Sequence, residues 1–477
     1  MMNRQQVYSR MLSFLKFPAT PGQDEFLQRF SAFATDPDAG IFVLKGYAGT
    51  GKTTMVSVLT AAFSNIVLLA PTGRAAKVIA GYTGRPAYTI HKLLYMPALT
   101  SDGRMMLRLA DNVFRKTLFI VDEASMIPDA AAGEDGGTFP GVNLLQDLMR
   151  YVFSGAACRL MLVGDLAQLP PVHFEDSPAL DPSRLALNYR RKVIVAELTD
   201  VVRQQEEGGI LLNATAIRKL IVEKDAPRVL HIQTGTDVVR MHASELPETL
   251  HSLYQAYGEE NVMVITRSNR GANQYNRMIR FQTLWMEDEV GGGDRLMIVK
   301  NNYHWLPRDH PAGFLANGDI VSVKKISRFE ECHGRRFARA VLTVPDFPDQ
   351  PEFEVMLLLD TLMSESPSLS GKEQQNLFDR LQAAYEEEEP DRRRRNALIK
   401  KDPYYNALQV KFAYAITCHK AQGGQWPVVF VDQGYLTEEM MDKPYYRWLY
   451  TAVTRASEKL YLLNFDERFF GGDSVRK

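Results

Sequence analysis

The stretch that most restricts this chain is "IFVLKGYAGTGKTTMVSVLTAAF", from Ile41 to Phe63. Ile41 to Leu44 carries no polar residue, as expected of a strand buried on both faces. Glycines at 46, 49 and 51 supply a tight turn. After Lys52 the apolar residues recur at helical spacing. A doubly buried strand joined in this way to a helix belongs in a parallel sheet covered by helices. "NIVLLAPT" (65–72) followed by "GRAAKVIAG", then "TLFIVDEAS" (117–125) and "CRLMLVGD" (158–165), repeat the pattern. Residues 1–190 therefore read as one α/β domain, with functional groups gathered at the carboxyl ends of its strands.

A second set of such signals follows in "NVMVITRSNRGANQYNRMIR" (261–280), "KFAYAITCHKAQGGQWPVVFVDQ" (411–433) and "WLYTAVTRASEKLYLLNF" (448–465). These predict a second α/β domain from 191–285 plus 406–477. Between them, 286–405 contains the short strand candidates "GDRLMIVKNN", "NGDIVSVKKI", "RRFARAVLTV" and "FEVMLLLD". Such spacing suggests a small inserted barrel. The polar helical stretch that follows includes "YEEEEPDRRRRN" (385–396), which reads as a solvated surface, its arginines offset by their acidic neighbours.

Composition adds limits. The 477 residues have a formal net charge of -1, so no global basic excess advertises a nucleic-acid partner, although a local groove can be basic on a neutral protein. Cys158, Cys332 and Cys418 are far apart, which argues against a disulfide framework or zinc site and for a reducing compartment. Lys16 interrupts the N-terminal apolar stretch, which reads as a helix and not a signal peptide. No apolar run approaches the ~18 residues of a membrane span.

Gly46 to Thr53 fits G-x-x-x-x-G-K-[ST] between a predicted strand and helix. Backbone N–H groups in such a loop cradle phosphates. The expected nucleotide-binding residues are Gly46, Ala48, Gly49, Thr50, Gly51, Lys52, Thr53 and Thr54. Lys52 is expected at the β- and γ-phosphates of ATP, with Thr53 and Asp122 on Mg²⁺. Glu123, beside Asp122 in "VDEAS", is the expected base for the attacking water. Gln168 in "VGDLAQLPPV" would sit at the γ-phosphate. Arg455 in "AVTRA", far along the chain, would reach the same phosphate as an arginine finger in cis.

Taken in order, "TPGQDEF", "GYAGTGKTT", "LLAPTGRAA", "TIHKLL", "VDEAS", "VGDLAQLPPV", "LTDVVRQ", "AITCHKAQGGQW" and "YTAVTRASEKLYLL" resemble superfamily 1B helicases, in the RecD-like and Dda-like branch. The resemblance spans nearly the whole chain. It implies two RecA-like domains, 1A and 2A, with ATP between them, a small β insertion 1B in the first and an SH3-like barrel 2B in the second. It implies 5′ to 3′ translocation on single-stranded DNA and unwinding of a duplex fork by a monomer in the cytoplasm or nucleoid. A single-strand binding protein or a replication or repair protein is an expected partner, and no membrane is involved. The family pattern places adenine recognition on Gln23, although Thr20-Pro21-Gly22-Gln23 also forms a capping box. It places a second γ-phosphate arginine on Arg203. The expected strand contacts are Thr72, Arg74 and His91 in one domain and Thr417, His419, Lys420 and Gln422 in the other.

Leu166 and Ala167 stand where many relatives carry a proline or polar pair. Gly424 stands where relatives often carry serine, threonine or methionine. The compact layout, without the long N-terminal extension of cellular RecD-like helicases, is closer to Dda. "LLYMPALTSDGRMMLRLADN" (93–112) reads as a projecting β-hairpin, either a strand separator or a packing element; Tyr95-Met96-Pro97 offers a stacking face or core packing. Two rival functions fit part of the pattern: a translocase that strips proteins from DNA with little unwinding, and a P-loop NTPase of another class such as a nucleotide kinase. A nuclease has no supporting carboxylate cluster.

Overall fold

A computed structural model describes residues 2–99, 105–130, 143–200, 208–222, 230–307, 310, 314–345 and 347–470. Its frame is two parallel sheets and a closed barrel. The first sheet is six-stranded, in the order Ala87–Thr89, Ile66–Ala70, Leu118–Val121, Arg159–Gly164, Ala39–Gly46, Lys192–Leu198. All neighbours are parallel. The glycine-rich turn leaves a central strand, the position expected from its doubly buried run. On one face Phe26, Phe30 and Phe33 of the helix Pro21–Thr35 pack against Phe42. Burying side chains of this size contributes about 1.5–3 kcal/mol each. The helix Leu144–Ser154 supplies Leu145, Leu148 and Val152 to the opposite face.

The second sheet is five-stranded, in the order Ala415–Thr417, Val262–Thr266, Trp426–Asp432, Ala456–Leu463, Val238–Met241, again all parallel. The barrel closes through Arg295–Ile298, Ile320–Cys332, Arg335–Thr343, Phe353–Leu358 and Leu408–Phe412. Its last strand leads straight into the edge of the second sheet. Buried Asn276 holds that corner: its amide donates to the carbonyls of Phe412 and Ala415 and accepts from the amides of Tyr414 and Ala415. The barrel's entrance is fixed by the buried pair Arg280–Asp294, with Arg280 also over the Phe412 ring.

Two strands lie across expected boundaries. Lys192–Leu198 pairs with Ala39–Gly46, so the first sheet continues past residue 190. Leu408–Phe412 pairs with Arg295–Ile298 and Phe353–Leu358, so barrel strands continue past residue 405. After Leu408–Phe412 only Ala413 and Tyr414 intervene before the chain enters the second sheet at Ala415. In the charge run, Arg392, Arg393 and Arg394 are exposed as expected, but Arg395 is buried against Gln382 and the Glu389 carbonyl. Tyr95–Leu99 and Met105–Leu109 pair antiparallel as the expected hairpin, whose turn lies outside the described residues. Tyr95 is buried and donates to Asp147, the packing alternative. The N-terminal segment forms the expected helix, Arg4–Leu12, with a capping box on Asn3.

Candidate nucleotide site and interdomain joint

The loop between Gly46 and Lys52 turns through left-handed backbone at Gly49 (φ 75) and Gly51 (φ 90). At Gly46 an added Cβ would lie 2.8 Å from Thr50 Oγ1. The helix Lys52–Ala62 begins with no side-chain cap, leaving first-turn N–H groups aimed into the loop. That arrangement suits an anion, and the donor set fits a phosphate chain. Lys52 Nζ lies across the loop, donating to the Gly46 and Tyr47 carbonyls at 2.7 and 2.8 Å and standing 3.9 Å from Asp165 Oδ2. Thr53 and Thr54 are exposed on the first turn.

Asp122 directly follows the strand Leu118–Val121 and accepts from the Tyr82 hydroxyl at 2.8 Å. A carboxylate at a strand end and a threonine hydroxyl on the first helical turn form a donor set of the kind Mg²⁺ takes. Glu123 has left-handed backbone (φ 52), an uncommon conformation for a residue with a side chain. That turn brings Glu123 Oε1 to 3.8 Å from Arg455 Nη1. Gln168, with its amide oriented to satisfy both neighbours, donates to Glu123 Oε2 at 3.3 Å and accepts from Arg455 Nη2 at 3.1 Å. Burial pushes the Glu123 carboxyl above its ordinary range, and the Arg455 guanidinium pulls it back. Three residues expected at one phosphate, from three distant segments, thus lie together.

Arg455 is 3% exposed and arrives from the second unit. It is held by Thr451 O, Gly424 O and Thr454 Oγ1. The helix Lys443–Val453 that leads to it also supplies Tyr450, which the sequence reading did not single out. The Tyr450 hydroxyl accepts from the Ala48 amide at 2.8 Å and donates to Asp165 Oδ2 at 2.7 Å. Thr451 Oγ1 accepts from the Leu169 amide, and Gln422 donates to the Leu169 carbonyl. The segment "VGDLAQL" is therefore bonded to the second unit along its length. The available signal was spacing: Tyr450 and Arg455 flank the same helix end.

Gln23 is buried and in a capping box, its Oε1 accepting from the Thr20 amide. Thr72 caps the helix Gly73–Thr83, accepting from the Ala75 amide. Ring contact joins His91 to Tyr95, and burial pulls its imidazole down to about 4, keeping it neutral. His419 is exposed and Thr417 is half-buried. Lys420 bonds Asn317 of the barrel. Two expected strand contacts lie in the joint between the units: Gln422 is buried against Leu169, and Arg74 stacks on Trp426. Both are drawn there by partners that a linear motif does not display. Arg203 lies outside the described residues.

Two parallel sheets with a glycine-rich phosphate loop on one and a buried arginine from the other define a P-loop NTPase of two RecA-like units. A family model described as an AAA domain matches residues 19–243, and one described as a UvrD-like helicase C-terminal domain matches 412–463. The curated relatives it resembles include proteins named as ATP-dependent DNA helicases. It is 26% identical to the ATP-dependent RecD2 DNA helicase of Deinococcus radiodurans over 436 residues, 88% of this chain and 46% of that one. It is 31% identical to the ATP-dependent DNA helicase dda of Enterobacteria phage T4 over 253 residues, 50% of this chain and 51% of that one. The chain thus spans about half the length of these curated relatives. Among solved structures, a Pif1 helicase from Bacteroides in complex with ADP-AlF3 and ssDNA aligns over 93% of each chain, at 16% identity and a TM-score of 0.48.

Proposed function

We propose that this protein is an ATP-driven motor that moves 5′ to 3′ along single-stranded DNA and separates the strands of a duplex fork. The observation that carries the reading is the meeting of Arg455 from one RecA-like unit with Glu123 and Gln168 from the other. Such an arrangement makes hydrolysis depend on the units being closed, which is what a motor needs. ATP with Mg²⁺, when bound, supplies the phosphoryl bond whose cleavage drives the cycle. In this reading the loop from Gly46 to Thr54 would hold the phosphates, Thr53 and Asp122 would ligate the metal, and Gln23 would contact the adenine. Lys52 exchanges its carbonyl partners for phosphate oxygens. Glu123 orients and deprotonates the attacking water, while Arg455, Gln168 and Arg203 stabilise the charge that develops.

In this reading the first sheet and its hairpin are 1A and 1B, the second sheet is 2A, and the barrel is 2B. The strand crosses both units over Thr72 and His91 and over Thr417, His419 and Lys420. It is gripped by its backbone, so little sequence preference is expected. Among the described residues no helix is long and apolar enough to cross a membrane. The protein is expected to act as a monomer in the cytoplasm or on the nucleoid, beside a single-strand binding or replication and repair protein.

The test is an ATPase assay with and without an oligo-dT strand, beside strand displacement on duplexes with 5′ or 3′ tails. DNA-stimulated turnover with displacement only from 5′ tails is expected. Stimulation with protein displacement but no unwinding would favour the stripping translocase. Turnover indifferent to DNA would remove the motor reading.

A further inference from the structure

Arg74 and Gly424 are two loose ends of the site described so far. Arg74 follows Thr72 closely in "PTGRAA", on the proposed strand face, yet its guanidinium carbon lies 3.9 Å from the ring centroid of Trp426 in the other unit. Its Nη2 also donates to the Gln425 carbonyl at 3.2 Å. Trp426 is 1% exposed, while Arg74 is partly buried, so the guanidinium covers a buried indole in a cation–π contact.

The glycine pair explains how the backbones come so close. A Cβ on Gly424 would lie 2.6 Å from a Trp426 ring carbon and 2.9 Å from Arg74 Cδ. A Cβ on Gly423, whose φ is +72, would lie 2.7 Å from the Ala75 Cβ. The second glycine, where relatives often carry a larger residue, therefore makes room for the stack. The same short segment holds the arginine finger. Gly424 O accepts from Arg455 Nη1 at 3.1 Å, and the Trp426 amide donates to Arg455 O at 2.9 Å.

We propose that Arg74 and Trp426 form a clasp between the two units through which the strand-binding face sets the position of Arg455, making Arg74 a positioning residue for ATP turnover and not a phosphate ligand. The inference rests on the motor reading above. A displacement of the helix Gly73–Thr83 by a bound strand is carried by the Arg74 stack to residues 424–426. From there it reaches Arg455 through one side-chain and one backbone hydrogen bond. The link is contiguous in space and spans both units.

The test uses the full chain with Arg74→Lys, which keeps the charge and loses the planar stack. Gly424→Ala, which places a methyl group in the ring, serves as a second variant should Arg74→Lys reduce soluble yield. Oligo-dT affinity is measured across a salt series, with ATPase turnover at saturating oligo-dT. At least a tenfold fall in kcat is expected in either variant. The Kd should stay within about twofold and the slope of log K against log salt should not change. A weaker Kd with kcat retained would make Arg74 a strand ligand and overturn the clasp. No change in either quantity would overturn it as well. If wild-type turnover ignored oligo-dT, the motor reading itself would fall, and the clasp with it.

Discussion

The Tyr450 hydroxyl donates to Asp165 Oδ2 across the domain joint at 2.7 Å. Both side chains are buried, and Lys52 Nζ stands 3.9 Å from the same carboxylate oxygen. The hydroxyl also receives the Ala48 amide, so one oxygen from the second unit fixes both the phosphate loop and the strand end beside it. Tyr450→Phe removes both hydrogen bonds and keeps the ring. Bonds to charged groups are worth about 1.5–3 kcal/mol, so kcat should fall roughly tenfold or more. KM for ATP should change much less, because the phosphate contacts remain. Steady-state ATPase at saturating DNA decides it; unchanged kcat would mean that the joint is set elsewhere.

Glu123→Gln preserves the shape of a side chain whose backbone is left-handed and whose neighbours are Gln168 and Arg455. The variant should still bind a fluorescent ATP analogue, since Lys52 and the loop amides are untouched. Turnover should drop by about 10²–10⁴, the usual contribution of a general base. Lys52→Ala should differ, losing turnover while oligo-dT binding persists. Single-turnover hydrolysis near the wild-type rate in Glu123→Gln would remove the base assignment.

Much of this was legible in the sequence because it depends on local pattern. The buried runs at 41–44 and 118–121 are central strands, and the phosphate loop follows from glycine spacing. The meeting of Glu123, Gln168 and Arg455 was expected from segment identity alone. What was not legible are contacts made by ordinary residue types across the joint. A tyrosine in an apolar helix looks like core, and nothing local marks Tyr450 as the partner of Asp165. Arg74 and Gln422 look like surface groups in linear sequence, but Trp426 and the Leu169 backbone claim them. The strand Lys192–Leu198 joins the first sheet because Ala39–Gly46 offers it an edge, which no local propensity records.

Arg455→Ala should lower turnover by about 10³–10⁵, the range for arginine fingers, with a much smaller loss of nucleotide affinity. The side chain also bridges Thr451, Thr454 and Gly424, so truncation removes a donor from the Gly424 carbonyl and loosens the joint. Arg455→Lys controls for that by keeping a cation in the joint. If the planar guanidinium matters, the lysine variant should remain far below wild type while its thermal unfolding midpoint stays closer to wild type than the alanine variant's. Near-normal turnover in Arg455→Ala would remove the finger assignment.

Burial, then repulsion from Lys411, pulls the Lys420 ammonium down to about 8. Burial alone pulls Lys411 to the same value. Facing Lys420 are Lys411, the Asn317 side-chain oxygen and neighbouring His419, with no carboxylate among the interactions that set its value. A DNA phosphate at Lys420 would favour the charged form and raise its pKa in the complex. The sign follows. Binding through Lys420 is fully present below about 8, the value in the free protein, and is lost as pH rises through the higher value in the complex. An ordinary exposed lysine titrates near 10.4 and would give no change over that window. Oligo-dT affinity should therefore weaken progressively between about pH 8 and 10, with proton uptake on binding at pH 8. Lys420→Arg should flatten the profile, because a guanidinium keeps its charge throughout. A wild-type profile as flat as that variant's would remove Lys420 from the strand contacts.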